Sequence, residues 1–126
     1  MKNPVVHFEI VGNNHDALQA YYRSLFEWDL RIPAPEMPYA IVEAPGEGPG
    51  IGGGVGGSPT GSPHATFYVQ VEDIEAALAK AVELGGETVV PVTTIPGMVT
   101  FALFSDPEGN RIGLASAHVP EGGETG

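Results

Sequence analysis

The feature that most limits how this chain folds is that it partly repeats itself. Residues 37–54 lie on residues 98–115 at an offset of 61, superposing Met37 on Met98, Glu47 on Glu108, Gly48 on Gly109, Ile51 on Ile112 and Gly52 on Gly113. Upstream, Ala17-Leu18 falls on Ala77-Leu78 and Glu27 on Glu87 at an offset of 60. A chain with this self-similarity folds as two copies of one supersecondary plan. The expected division is unit one over residues 4–57, a linker over 58–63, unit two over 64–117 and a frayed tail over 118–126. At 126 residues both units belong to a single domain.

Each copy reads in the same order. Residues 5–11 alternate as a half-buried strand, with Phe8 and Ile10 on one face and His7 and Glu9 on the other. Residues 65–71 repeat the pattern, placing Phe67 and Val69 on one face and Thr66, Tyr68 and Gln70 on the other. Helical spacing follows in both copies. Over 16–26 it gathers Leu18, Tyr21, Tyr22 and Leu25 on a packing face, and over 74–84 it gathers Leu78, Ala81 and Val82. Candidate caps stand between Asn13 and Asp16 and at Asp73 or its neighbour, and Gly85-Gly86 is a left-handed stop. Three short strands complete each unit, over 28–32, 38–44 and 50–55, then over 87–91, 99–104 and 111–116. The result is an α+β chain of two tandem βαβββ units.

Breaker residues sharpen the plan. Asp106-Pro107-Glu108-Gly109-Asn110 sets proline where a turn fixes φ and glycine where it needs a positive one, which predicts a hairpin joining Phe104 to Arg111. Gly57-Ser58-Pro59-Thr60-Gly61-Ser62-Pro63 is too rich in breakers to carry a ladder and reads as the linker. The run Gly52-Gly53-Gly54-Val55-Gly56-Gly57 formally satisfies a phosphate-cradling glycine signature. Its context denies that role, because no helix starts in the proline-rich segment after it. A strand floor without side chains, approached closely by a ligand or another backbone, explains it better.

Composition excludes several classes of function. Sixteen acidic residues against five basic ones give a net charge of −11, the wrong sign for following a phosphate backbone, so no nucleic-acid partner is expected. The acidity chiefly serves solubility. No stretch approaches the roughly 20 apolar residues of a membrane span. Met1-Lys2-Asn3-Pro4 runs into a strand-like segment and not into a secretory leader, which gives an expectation of a cytoplasmic protein. With no cysteine, there is no disulfide, no thiolate nucleophile and no cysteine-ligated metal.

The tandem βαβββ order, the helix ends Tyr21-Tyr22-Arg23-Ser24-Leu25-Phe26-Glu27-Trp28 and Ala81-Val82-Glu83-Leu84-Gly85-Gly86, and the segment Asp106-Pro107-Glu108-Gly109-Asn110-Arg111-Ile112 resemble the vicinal oxygen chelate superfamily. That superfamily includes glyoxalase I, bleomycin-resistance proteins, fosfomycin-resistance enzymes and extradiol dioxygenases. The resemblance covers residues 4–117. It implies curved mixed sheets around a ligand-binding cup, often completed by homodimerisation. Metal-using members place ligands on the first and fourth strands of both units. On that pattern the first-strand positions are His7 and Thr66, and the fourth-strand position of unit two is Gly113, with Gly52 as its repeat mate. Only His7 matches a ligand type. Glycine has no donor, and a threonine hydroxyl is a poor ligand for a transition metal. A divalent metal is therefore disfavoured, and no cofactor is expected.

The remaining chemistry centres on the polar strand faces. His7 and Glu9 are two apart on one strand, about 6 to 7 Å, close enough to share a ligand or to act as an acid/base pair. Tyr68 can donate a proton or stack on an aromatic ligand. The ligand-binding candidates are His7, Glu9, Thr66, Tyr68, Gln70, Gly52 and Gly113; the catalytic candidates are His7, Glu9 and Tyr68. His7, Glu9 and His64 form an alternative metal set, whereas His15 and His118 read as structural or solvated. The aromatic residues at the end of the first helix read as packing, and Tyr39, Phe101 and Phe104 have no assigned face. The preferred function is metal-independent binding of a small organic molecule, as in the drug-sequestering branch, with a cationic ligand favoured by the acidic charge. The alternatives are an enzyme of the same superfamily, namely a metal-free lyase or isomerase using His7, Glu9 and Tyr68 or a metal-dependent glyoxalase or dioxygenase with rearranged ligands, and an interaction protein with a vestigial cup.

Overall fold

The structure, a computed structural model, describes residues 2–118. The expected tail therefore falls outside the described residues from 119 onward. The element order is β1 (Val5–Gly12), α1 (His15–Phe26), β2 (Leu30–Arg31), β3 (Tyr39–Val42), β4 (Gly53–Gly57), β5 (His64–Val71), α2 (Ile74–Glu83), β6 (Glu87–Ile95), β7 (Val99–Ser105) and β8 (Arg111–Ser116). This is βαβββ twice over. The chain divides into an amino-terminal unit, Val6–Phe67, and a carboxy-terminal unit that begins at Tyr68 and takes in the first residues up to Val5. Within the latter, the Pro4 carbonyl accepts the Gln70 N–H at 2.9 Å.

In the amino-terminal unit the strand order is β2-β3-β4-β1. β1 and β4 run parallel, and β2, β3 and β4 are antiparallel neighbours. The parallel pair needs a crossover connection, which α1 begins. Asn14 caps α1 by accepting the Ala17 N–H at 3.2 Å, and Glu27 closes it in the left-handed region at φ 59°. One face of the sheet carries Phe8, Ile10, Ala40, Val42 and Val55 in adjacent rows. This face meets α1, and Trp28 packs on Phe8 at a ring separation of 5.1 Å, with Tyr22 and Phe26 against the same indole.

The side of α1 that packs departs from the expected stripe. Gln19 is its buried residue, and its side-chain amide donates to the Val55 carbonyl at 2.9 Å. Tyr21, Leu25 and Phe26 are each more than half exposed. The helix is turned so that Gln19 satisfies a β4 carbonyl, while Leu18 and Tyr22 of the expected stripe are half-buried and Tyr21 and Leu25 are exposed.

The carboxy-terminal unit repeats the topology in the order β5-β8-β7-β6, with β5 and β8 parallel and the other pairs antiparallel. Asp73 caps α2 by accepting the Ala76 N–H at 3.0 Å, and Gly85 follows at φ 114° as the left-handed stop. Val71, Ile74, Ala102 and Leu114 form the core beneath α2, joined by Val69, Ala77, Leu78 and Phe104. Val82, expected on the packing face, is exposed. The opposite sheet face has its own cluster of Tyr68, Leu103 and Ala115, with Val90, Val99 and Phe101 around it. The hairpin forms as its turn residues require: Asp106 Oδ1 accepts the N–H groups of Glu108 and Asn110, both at 2.9 Å, and Gly109 sits at φ 92°.

β6 runs four residues beyond the expected strand end, to Ile95, with register shifts at Val90 that absorb Pro91. β4 starts later than expected, at Gly53. That delay changes the repeat alignment. Tyr68 stands opposite Gly113 and Glu9 opposite Gly54, each at the same distance along its strand from the helix cap. The structural mate of Gly113 is therefore Gly54, not Gly52. The 43–52 connection is longer than the 106–110 turn, so identities within it align the loops and not the strands.

Candidate functional site

Counting along β1, side chains alternate, and His7, Glu9 and Val11 fall on the face away from Phe8. Glu9 is opposite Gly54 on β4, which in turn is opposite Ile41 on β3, and Tyr39 lies one step further on the same face. At Gly54 a Cβ would run into the Tyr39 ring and hydroxyl, and at Gly56 it would meet the Pro38 carbonyl and the Tyr39 ring. Glycine at these positions lets the Tyr39 ring lie flat on the strand. The side-chain-free floor predicted from the glycine run exists, and a tyrosine covers it.

That placement brings three polar groups together. The Tyr39 hydroxyl donates to Glu9 Oε1 at 3.0 Å and lies 2.9 Å from His7 Nε2. The His7 and Tyr39 rings are nearly parallel, at 15°. Glu9 is 8% exposed, unusual for a carboxylate and tolerable because it is hydrogen-bonded. Burial lowers the His7 pKa below its ordinary 6.5, which favours the neutral imidazole. Sequence reasoning placed His7 and Glu9 together on this face and left Tyr39 unassigned. The available signal was its shared parity with Ile41, opposite a run of glycines.

The other candidates lie elsewhere. In the carboxy-terminal unit Tyr68 is buried, with its ring lying over Gly113, where a Cβ would collide with it. Phe101 meets that ring edge to face at 6.4 Å. Gln70 is opposite Ala115, one row away on the same face. In the amino-terminal unit Thr66 is buried, and its hydroxyl reaches the Phe67 carbonyl at 3.4 Å. Gly52 precedes β4, where a Cβ would press on the Val42 carbonyl at 3.0 Å, so its bareness serves the β3–β4 backbone approach. His15 and His118 lie near Asp16 and Glu72 in exposed pairs.

The four superfamily ligand positions, with the register corrected, are His7, Thr66, Gly54 and Gly113. The two glycines offer no donor, and tyrosine rings already fill the space a ligand side chain would take. His64 does not complete a set with His7 and Glu9: among the described residues no group of three or more His, Asp or Glu is placed to hold an ion. The residues present do not fit a divalent centre. A mostly apolar groove of about 430 Å³ in the amino-terminal unit is lined by Val11, Asn14, Leu18, Tyr21, Tyr22 and Pro63. Among the described residues no helix is long and apolar enough to cross a membrane.

Comparison with known proteins agrees with this architecture. Solved structures with the same fold include methylmalonyl-CoA epimerase from Mycobacterium tuberculosis, at 14% identity and a TM-score of 0.59, covering 90% of this chain and 87% of that one. A glyoxalase/bleomycin resistance protein/dioxygenase superfamily member from Vibrio splendidus 12B01 aligns at 16% identity and a TM-score of 0.57, over 91% of this chain and 98% of that one. The Mn(II)-bound glyoxalase from Novosphingobium aromaticivorans aligns at 17% identity and a TM-score of 0.57, over 96% of this chain and 40% of that longer one. No curated protein matches the chain in sequence. The family described as glyoxalase-like domain matches residues 8–115. With the tandem βαβββ plan and its neighbours in agreement, the chain belongs to the glyoxalase-like domain family of the vicinal oxygen chelate superfamily.

Proposed function

We propose that the chain binds a small, partly apolar organic molecule on the sheet face that carries His7, Glu9 and Tyr39, and does so without a divalent metal. The observation that carries this reading is the covering of Gly54 and Gly113 by tyrosine rings, where a metal-using relative would need anionic donors. What remains on the face is an aromatic surface with one buried carboxylate and one neutral imidazole, a lining suited to orienting an organic ligand. A homodimer, implied by the superfamily resemblance, and a cytoplasmic location, expected from the sequence, belong to the same proposal.

The test is thermal stabilisation by a panel of metabolites and basic natural products, read on protein dialysed against EDTA. Ligand at 100 times its Kd adds about 2.7 kcal/mol, an easily measured shift, and EDTA leaves it unchanged. Stoichiometric Zn, Ni, Mn or Fe that is lost on His7→Ala would overturn the proposal.

A second reading, a metal-free acid/base enzyme, is favoured by the hydrogen-bonded sequence of imidazole, phenol and carboxylate. Turnover of a panel ligand that disappears in Glu9→Gln decides for it. Stabilisation without turnover decides for sequestration.

A further inference from the structure

The inference rests on the reading of the His7 face as the binding face and concerns what sets the chemistry of its imidazole. We infer that Tyr39 is the positioning residue of this face: its phenol holds His7 in the tautomer with the proton on Nε2, making Nδ1 the basic nitrogen.

The number of available protons decides the tautomer. A phenol has one to give, and an ionised carboxylate only accepts. The Tyr39 hydroxyl donates to Glu9 Oε1 at 3.0 Å, which commits that proton. The contact of 2.9 Å between the same oxygen and His7 Nε2 is then a hydrogen bond only if Nε2 carries a hydrogen and donates it. Burial disfavours the imidazolium, so the choice lies between two neutral forms, and the Tyr39 contact favours the one with its proton on Nε2. Reversing the sense of the chain would require a protonated Glu9 donating to the phenol and the phenol donating to Nε2, which puts the His7 proton on Nδ1. The position of one proton on His7 therefore reports the direction of the whole chain.

Gly54 takes part in the device. A Cβ at this position overlaps the end of the Tyr39 ring, so the hydroxyl reaches both partners only while position 54 is bare. Because the colliding atoms are the far end of a side chain, adding a methyl swings the ring aside and leaves the strands paired. Tyr39→Phe keeps a ring over Gly54 and deletes the hydroxyl. Gly54→Ala keeps the hydroxyl and moves it. Two substitutions on different strands thus cut the same pair of hydrogen bonds by different routes.

The experiment is nitrogen-15 and proton NMR of the histidine rings in ligand-free protein above neutral pH, with the His7 signals identified by their absence from His7→Gln. The expected wild-type result is one pyrrole-type nitrogen at Nε2 and one pyridine-type nitrogen at Nδ1. In Tyr39→Phe and in Gly54→Ala the single tautomer is lost and the two nitrogen shifts move toward each other as the forms exchange. Wild-type protein with its proton on Nδ1 overturns the inference. So does an unchanged Nε2–H tautomer in either variant. The measurement needs no ligand, so a panel that yields no binder would defeat the functional reading while leaving this result standing.

Discussion

The phenol ring of Tyr68 lies on Gly113, in the volume that any side chain at position 113 would need, and Tyr68 is itself only 6% exposed. Leu103, Ala115 and Phe101 surround the ring, so it has no open side to move toward. Gly113→Ala is therefore an overpacking substitution and costs about 1–3 kcal/mol in urea unfolding. Gly113→Glu, which supplies the carboxylate that the superfamily resemblance implies at this position, costs at least as much. Its unfolding midpoint does not rise when Zn or Mn is added, because the ring still blocks the approach of the carboxylate.

The buried imidazole of His7 gives a signed pH dependence. Its folded pKa lies below the ordinary value of 6.5, so between the two values the unfolded chain binds the extra proton, and stability rises with pH. The contribution is complete above 6.5, falls away as pH drops through the folded pKa, and is constant below it. Thermal midpoints measured from about pH 8 to pH 5 fall more steeply for wild type than for His7→Gln. Equal slopes would mean that His7 titrates as an ordinary exposed histidine.

Gln19 is a polar residue with a structural task. Its amide donates to the Val55 carbonyl at 2.9 Å from a position that is 6% exposed. Gln19→Met preserves volume and removes the donor, with an expected loss of about 1–2 kcal/mol in equilibrium unfolding. Gln19→Glu, which places an acceptor against that carbonyl, is worse than Gln19→Met. The reverse order would show that packing and not the hydrogen bond fixes α1 on β4.

Leu103 is fully buried, at 0% exposure, at the centre of the cluster that supports Tyr68. Leu103→Ala lowers stability by about 2–5 kcal/mol through lost burial and a residual cavity. The near-ultraviolet tyrosine signal weakens along with it, because the ring of Tyr68 loses its support. A loss below about 1 kcal/mol would show that the site collapses around the smaller side chain.

Much of this fold was readable because its determinants are local. The cap at Asp73, the glycine stop at Gly85 and the Asp106–Asn110 turn each act within a few residues, and each appears where sequence placed it. The face of β1 was equally legible from strict alternation. Position 39 was not, because Pro38 precedes it and the glycines opposite carry no pattern of their own; its partners, Glu9 and His7, are some thirty residues away. The glycine mate of Gly113 was misplaced by two residues for a related reason. Repeated loop identities set that alignment, whereas strand pairing sets the true correspondence. The α1 stripe misled because hydrophobic spacing does not register that one buried amide can outrank several aromatic rings.

Each unit has closed its bare position with a ring from a different source: Gly54 is covered from the third strand by Tyr39, and Gly113 from the first strand by Tyr68. The two halves thus reached like hollows through unlike moves. An engineer restoring a donor at either position must exchange two residues together, and the pair that works in one half cannot be transcribed into the other.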